Sequence, residues 1–448
     1  MARVIITGAS TGAMACAARL AIKGHDVTIH EPSSTWAPDL EQISNNGFVF
    51  DIGTNFLTLP AVYRDLFLKT GASLEESLEL IELDIAYRFQ FGDGTVFRMP
   101  GAGIGRIAAA LGKAFDTSAD HQWRNFMSRA GSMWSVMRQP IIESNVRGVQ
   151  SIRALPQTLR SIRQLELHRT LHSFATAYFT DLRLVQMAEY YATRTGADPR
   201  KTPATMATYS FIEQNFGVVH ISGGMRKLAS ALFERCVHLG VKFEFDSAVS
   251  PFVTNSRVEG VRTSAGAVIP SDLVIADGTK ADNNSEFILL LSLSGKTPGI
   301  EHHNVWFNNS SSTATQIYAC VPDDATMSPY DGEAWCIRVS SMPSPVTCDR
   351  DGQTNHAGDA LAEYVLEQLA GLGCDIRERI LWQKCLTPTF KKSNTSPAMN
   401  GRLAAFRQES NVTKIDGLYN VGQDTHPGSS LAFVAIGANI VAQHIGSA

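Results

Sequence analysis

The residues up to Glu31 constrain the fold more than any other part of the chain. Arg3 to Thr7 is a short apolar run with β-branched residues, and it ends at Gly8. Met14 to Ile22 (MACAARLAI) is small and apolar at helical spacing. Gly24 then stops the helix, as a glycine just past a helix end does. DVTIHE reads as a second strand with Glu31 at its end. The order is strand, glycine turn, helix, strand, acid. The acid lies 23 positions after Gly8, close to the roughly 20-residue gap that brings a carboxylate to a ribose in a dinucleotide-type βαβ unit. An α/β protein opening on such a unit is therefore expected.

At 448 residues the chain is too long for one compact core, so two or more domains are expected. With 44% hydrophobic and 18% charged residues it has the composition of a globular protein. A formal net charge of -4 gives no ground for nucleic-acid affinity. No charged-then-apolar export signal precedes the first strand, and no run reaches the ~18 apolar residues of a membrane span. A cytoplasmic protein is expected, and FILLLSLSG (287–295) reads as a buried strand. The seven cysteines are Cys16, Cys236, Cys320, Cys336, Cys348, Cys374 and Cys385. An odd count, wide scatter and no C-x-x-C pair predict free thiols rather than a disulfide framework or zinc knuckle. His302-His303 and the other histidines lack the H-E-x-x-H spacing, so no metal site is expected.

Thr7-Gly8-Ala9-Ser10-Thr11-Gly12 also matches the T-G-x-x-x-G start of short-chain dehydrogenases. That family needs a Tyr-x-x-x-Lys pair, and none of the ten tyrosines has lysine four residues on. A closer resemblance lies downstream. NNGFVFDIGTNFLTLPAVYRDLFLKTG (45–71) and YRFQFGDGTVFRMP (87–100) resemble the phytoene desaturase family of flavoproteins, which includes carotenoid isomerases. So do the central segment, residues 171–232, and LYNVGQDTHPGSSLAFVAIGANIVAQHI (418–445). The resemblance covers nearly the whole chain. It implies a two-domain amine oxidase/phytoene desaturase-like fold. A discontinuous Rossmann-type FAD domain would take residues 1–100, 219–282 and 386–448. A helical-plus-sheet substrate domain would take 101–218 and 283–385. The sequence agrees in that 240–277 alternates apolar and polar residues, with turn breaks at Asn255-Ser256 and Ala265-Gly266.

The chain departs from the family where flavin phosphates would bind. At the G-x-G-x-x-G positions stand Gly8, Ser10 and Ala13, with Gly12 between the last two. The second glycine normally lets backbone approach the pyrophosphate, so Ser10 intrudes there. The family's R-x-G-G-[RK] stretch is here Thr35-Trp36-Ala37-Pro38-Asp39. Both glycines and both cations are gone, Pro38 removes an N–H donor, and Asp39 reverses a charge. In GQDTHPGSS, Asp424 and Ser430 occupy positions that are usually glycine. SNTSPAMNGRLAAFRQ (393–408) and the stretch after VIAD (274–277) also look shorter than in the family.

The losses cluster on one function. The expectation is a flavin-independent enzyme on a flavoprotein scaffold, with no cofactor, that isomerises or cyclises a long apolar polyene or isoprenoid in natural-product biosynthesis. Asp424, His426 and Asp277 are its acid–base candidates, against bland roles in turn capping and packing. The alternative is a working FAD-dependent desaturase or isomerase. Gly8, Ser10, Gly12, Ala13, Glu31, Val249 and Gly422 would then hold the cofactor. A further alternative is a non-catalytic partner of a related flavoprotein. The basic stretch 146–164 offers peripheral membrane contact, against the plainer reading of a solvated helix face. The substrate and the oligomeric state stay open.

Overall fold

The computed structural model describes residues 1–145, 158–278, 287–308, 316–339, 355–386 and 408–448. Its first sheet is parallel and five-stranded. The strand order is Leu418–Val421, Leu273–Asp277, Arg3–Thr7, Asp26–His30, Lys242–Glu244. Val4 pairs with Val27 on one side and Leu273 on the other. Strands from three distant stretches thus meet in one sheet. Their near-continuous apolar character suits a parallel sheet covered on both faces.

The helix Thr11–Ile22 packs between the helices Arg226–His238 and Leu431–Ile445. Gly12 makes the close approach possible. A Cβ there would stand 3.3 Å from Val434 Cβ and 3.4 Å from the Gly422 nitrogen. The surviving glycine therefore has a packing reason independent of any ligand. The turns between 240 and 277 fall where the sequence places them. Asn255 and Ser256, at φ 50 and 62, join Val249–Thr254 to Arg257–Thr263 in the left-handed geometry that matches strand twist.

The second sheet has seven strands, ordered Ile380–Leu386, Phe287–Ser294, Gly332–Val339, Gln316–Cys320, His303–Phe307, Ile85–Gln90, Val96–Pro100. FILLLSLS is one of its central strands, buried except at Ser294. The hairpin within 85–100, assigned by sequence to the nucleotide part, instead joins this sheet. Arg88 pairs with Asn304 and Gln90 with Trp306. Alternating residues reveal a hairpin but not which sheet edge receives it. Helices between 104 and 216 cover one face over a core that includes Trp123, Phe126, Phe174 and Phe179. The helix Asn355–Gly371 lies over the other face. Most of the basic stretch 146–164 and of the segment 393–408, and residues 279–286, lie outside the described residues. Among the described residues no helix is long and apolar enough to cross a membrane.

Replacing Gly12 by valine should push the first helix away from Gly422 and Val434. We expect a loss of about 1–3 kcal/mol, read from urea denaturation midpoints. An unchanged midpoint would show that this contact is loose.

Candidate functional site

The first turn presents three successive backbone N–H groups at the start of the helix Thr11–Ile22, where a dinucleotide's phosphates would sit. Each is taken by a carboxylate of the chain itself. Ala9 N donates to Glu31 Oε2 at 2.7 Å. Ser10 N donates to Asp277 Oδ2 at 3.1 Å. Thr11 N donates to Asp39 Oδ1 at 3.2 Å, and the Thr11 hydroxyl donates to Asp39 Oδ2. Ser10 Oγ, the intruding side chain, accepts from Ala13 N and caps the helix. Negative charge at a helix N-terminus is favourable, and here the protein supplies it.

The remaining capacity of Glu31 is also committed. Its Oε1 accepts from Ser33 N at 2.9 Å and Ser33 Oγ at 2.8 Å, and the residue is 5% exposed. Asp277 sits so close that a Cβ on Gly8, at φ +124, would stand 2.8 Å from its Oδ2. Burial pushes the Asp39 carboxyl above the ordinary range, although its bonds with Thr11 oppose this. In either protonation state its oxygens occupy the Thr11 donors.

The segment carrying Asp39 is held from outside the turn. Trp36 stacks on Phe233 with ring centroids 4.1 Å apart and an angle of 7°. Arg226 donates to Leu40 O, Trp36 O and Thr35 Oγ1 at 3.2–3.3 Å and lies over the Trp36 ring. That cation is thus spent on the segment's carbonyls. Ala37 keeps a left-handed backbone at φ 54, and its N–H bonds Ala9 O at 2.9 Å.

The other sequence candidates lie around this turn or behind it. Ala13 is fully buried. Gly422, at φ 104, packs on Gly12 and accepts from the Thr425 hydroxyl at 2.7 Å. Val249 pairs with Thr263 and packs against a small cluster with Ile5 and Val258. Asp424 stands beside Gly278, past the carboxyl end of the parallel sheet. His426 is 2% exposed, and its Nε2 meets Ile141 O at 2.6 Å. Burial pushes its pKa down to about 4, so the ring is neutral at physiological pH.

A cavity of about 210 Å³ opens between the two parts of the fold. Phe56, Tyr190, Tyr209, Tyr318 and Phe433 give it aromatic walls. Arg194 and Glu213, also in the lining, form an ion pair at 2.5 Å with side chains 16% and 3% exposed. Arg194 also donates to Tyr87 Oη at 3.1 Å and lies over the rings of Phe56, Tyr190 and Tyr191. Burial disfavours its charge, but Glu213 and the tyrosines outweigh that and hold its pKa well above the ordinary value. Burial raises the Tyr209 hydroxyl to about 12, so it stays a proton-bearing donor. None of Asp277, Asp424 and His426 lines this cavity. Sequence reading missed Arg194 and Glu213. A signal existed in the i, i+4 pairs Tyr190/Arg194 and Tyr209/Glu213, which place each pair on one helix face.

A parallel sheet with a glycine turn, joined to a helix-covered second sheet, is the architecture of a two-domain flavoprotein. The chain belongs to the flavin containing amine oxidoreductase family, whose pattern it matches over residues 14–276. It is 23% identical to a 4,4'-diapolycopene oxygenase of Methylomonas sp over 99% of this chain and 98% of the relative. It is 23% identical to a zeta-carotene-forming phytoene desaturase of Myxococcus xanthus, over 99% and 93%. An oxidoreductase from Methanosarcina mazei shares the fold, with a TM-score of 0.63 at 14% identity over 98% of this chain and 100% of that one. The family implies FAD. The turn does not fit its diphosphate, because the N–H donors face carboxylates and the nearby cation is committed elsewhere.

Because burial raises the Asp39 pKa, the folded chain holds that proton more tightly than the unfolded one. Its contribution is full below the ordinary carboxylate range and is lost as pH rises through the raised value. Asp39→Asn should remove this part of the pH dependence. Asp39→Ala should lose about 1–2 kcal/mol by leaving Thr11 N–H without its acceptor. Urea denaturation at mildly acidic and mildly alkaline pH distinguishes them. An Asn variant less stable than the Ala variant would contradict this reading.

Proposed function

We propose that the protein is a redox-neutral, flavin-independent enzyme that isomerises or cyclises a long apolar polyene or isoprenoid. The observation that carries this is the occupation of Ala9, Ser10 and Thr11 N–H by Glu31, Asp277 and Asp39. The names of the carotenoid-acting relatives support the substrate class. They equally favour a second reading, an FAD-dependent desaturase. The diphosphate site is what weighs against it.

The cavity suits the proposed chemistry. Its volume of about 210 Å³ is below the roughly 300–1,000 Å³ of pockets that enclose a drug-sized ligand, so it would take one end of a long chain. Aromatic faces stabilise positive charge that develops along a conjugated chain. Fixing one reactive conformer can itself supply several kcal/mol of the barrier. Arg194, held by Glu213, would meet a polar end group. Tyr209 would donate a hydrogen bond or proton. Asp277 caps the turn and His426 bonds Ile141. Asp424 stands past the end of the sheet and outside the cavity lining, so any proton donation in the cavity falls to Tyr209.

Incubation with polyene substrates under anaerobic conditions, with no flavin added, should give a product of unchanged mass. Tyr209→Phe should lower kcat/KM by about tenfold, the loss of one hydrogen bond to the reacting species. A product lighter by a hydrogen pair, formed only with an electron acceptor, would overturn the proposal in favour of desaturation.

A further inference from the structure

A second cluster of chemistry-bearing side chains lies behind the cavity wall, in the seven-stranded sheet. The register places His303 directly opposite Cys320 on neighbouring antiparallel strands, so both side chains leave the same face. His302 precedes the strand, and its carbonyl accepts from Val321 N at 2.8 Å. Its ring centroid lies 4.5 Å from that of His303 and 4.6 Å from that of His220. One nitrogen from each of His302 and His303 and the Cys320 sulfur all lie within 4.8 Å of one another.

Two of these rings are oriented by a hydrogen bond on one nitrogen. His303 Nδ1 bonds Tyr318 Oη at 2.8 Å. His220 Nε2 bonds Asp324 Oδ2 at 2.9 Å, and the same oxygen accepts from Gly223 N at 2.8 Å. Each of these rings is fixed through one nitrogen. The other nitrogen, His303 Nε2 or His220 Nδ1, is buried with no partner, and so is His302 Nε2. His303 is 0% and His220 3% exposed. A histidine oriented by a second group on one nitrogen and open at the other is the usual arrangement of a metal-binding imidazole.

We propose that His302, His303 and Cys320 bind a zinc ion, with His220 the candidate for the fourth position. Two imidazoles and a thiolate suit zinc, whose ligands surround it at roughly 2.0–2.3 Å in a tetrahedron. Binding forms the Zn–S bond and releases the Cys320 proton to solvent. No ligand motif marks this site, because the ligands come together across neighbouring strands and not within a short stretch. Through Tyr318, which lines the cavity and bonds His303, the metal would stiffen the cavity wall.

The full chain, expressed with zinc and purified under reducing conditions without chelator, should carry about one zinc per chain by mass spectrometry. Cys320→Ser and His302→Ala should each fall below about a tenth of that. Substitution of the exposed His121 by alanine should not change it. If the variants fail to fold, the wild-type chain loaded with Co²⁺ decides. A tetrahedral visible spectrum with a thiolate charge-transfer band supports the site. Wild-type protein without zinc, an aqueous-type Co²⁺ spectrum, metal retained in both variants, or a Cys320–Cys336 disulfide in the purified protein would overturn it.

Discussion

The structure around the nucleotide turn depends on three carboxylates meeting three backbone N–H groups. In a phosphate-binding turn those donors are left for the ligand, and the helix dipole favours its charge. Here Glu31, Asp277 and Asp39 satisfy the donors from three different stretches of chain. This one arrangement ties together the second strand, the Leu273–Asp277 strand and the segment 35–40. Ser10 as a helix cap, Trp36 on Phe233 and Arg226 on the segment's carbonyls hold its parts in place. Positions that the family resemblance assigns to a flavin are hydrogen-bonded within the chain here.

That internal closure leaves the cavity as the place for chemistry. Its walls are aromatic, Arg194 and Glu213 in its lining pair with each other, and Arg338 bonds backbone carbonyls at its edge. An apolar chain entering it would meet π-faces and a fixed guanidinium. Under the proposed function, this cavity would hold the substrate.

Much of the fold was legible in the sequence, because it is written in local periodicity. The βαβ unit, the hairpins at Asn255-Ser256 and Gly266, and the buried strand at 287 all stand where pattern and turn residues put them. The placement of the 85–100 hairpin was not legible, since edge pairing is decided by distant residues. At the site, the loss of glycines and cations could be read from the resemblance. That Asp39 and Asp277 would turn inward onto Thr11 and Ser10 could not, because side-chain partners 28 and 267 positions apart leave no local signal. The histidine cluster was hidden for the same reason, whereas Arg194 and Glu213 each had a local sign in a tyrosine four residues before; only their pairing with each other was hidden.

The most direct measurement is a calorimetric titration of the purified protein with FAD, together with its visible absorbance as isolated. With the turn's donors already bonded to carboxylates, the account predicts a colourless protein and no saturable FAD binding. A yellow protein, or tight stoichiometric uptake of FAD, would contradict it and show that the three carboxylates give way to the diphosphate.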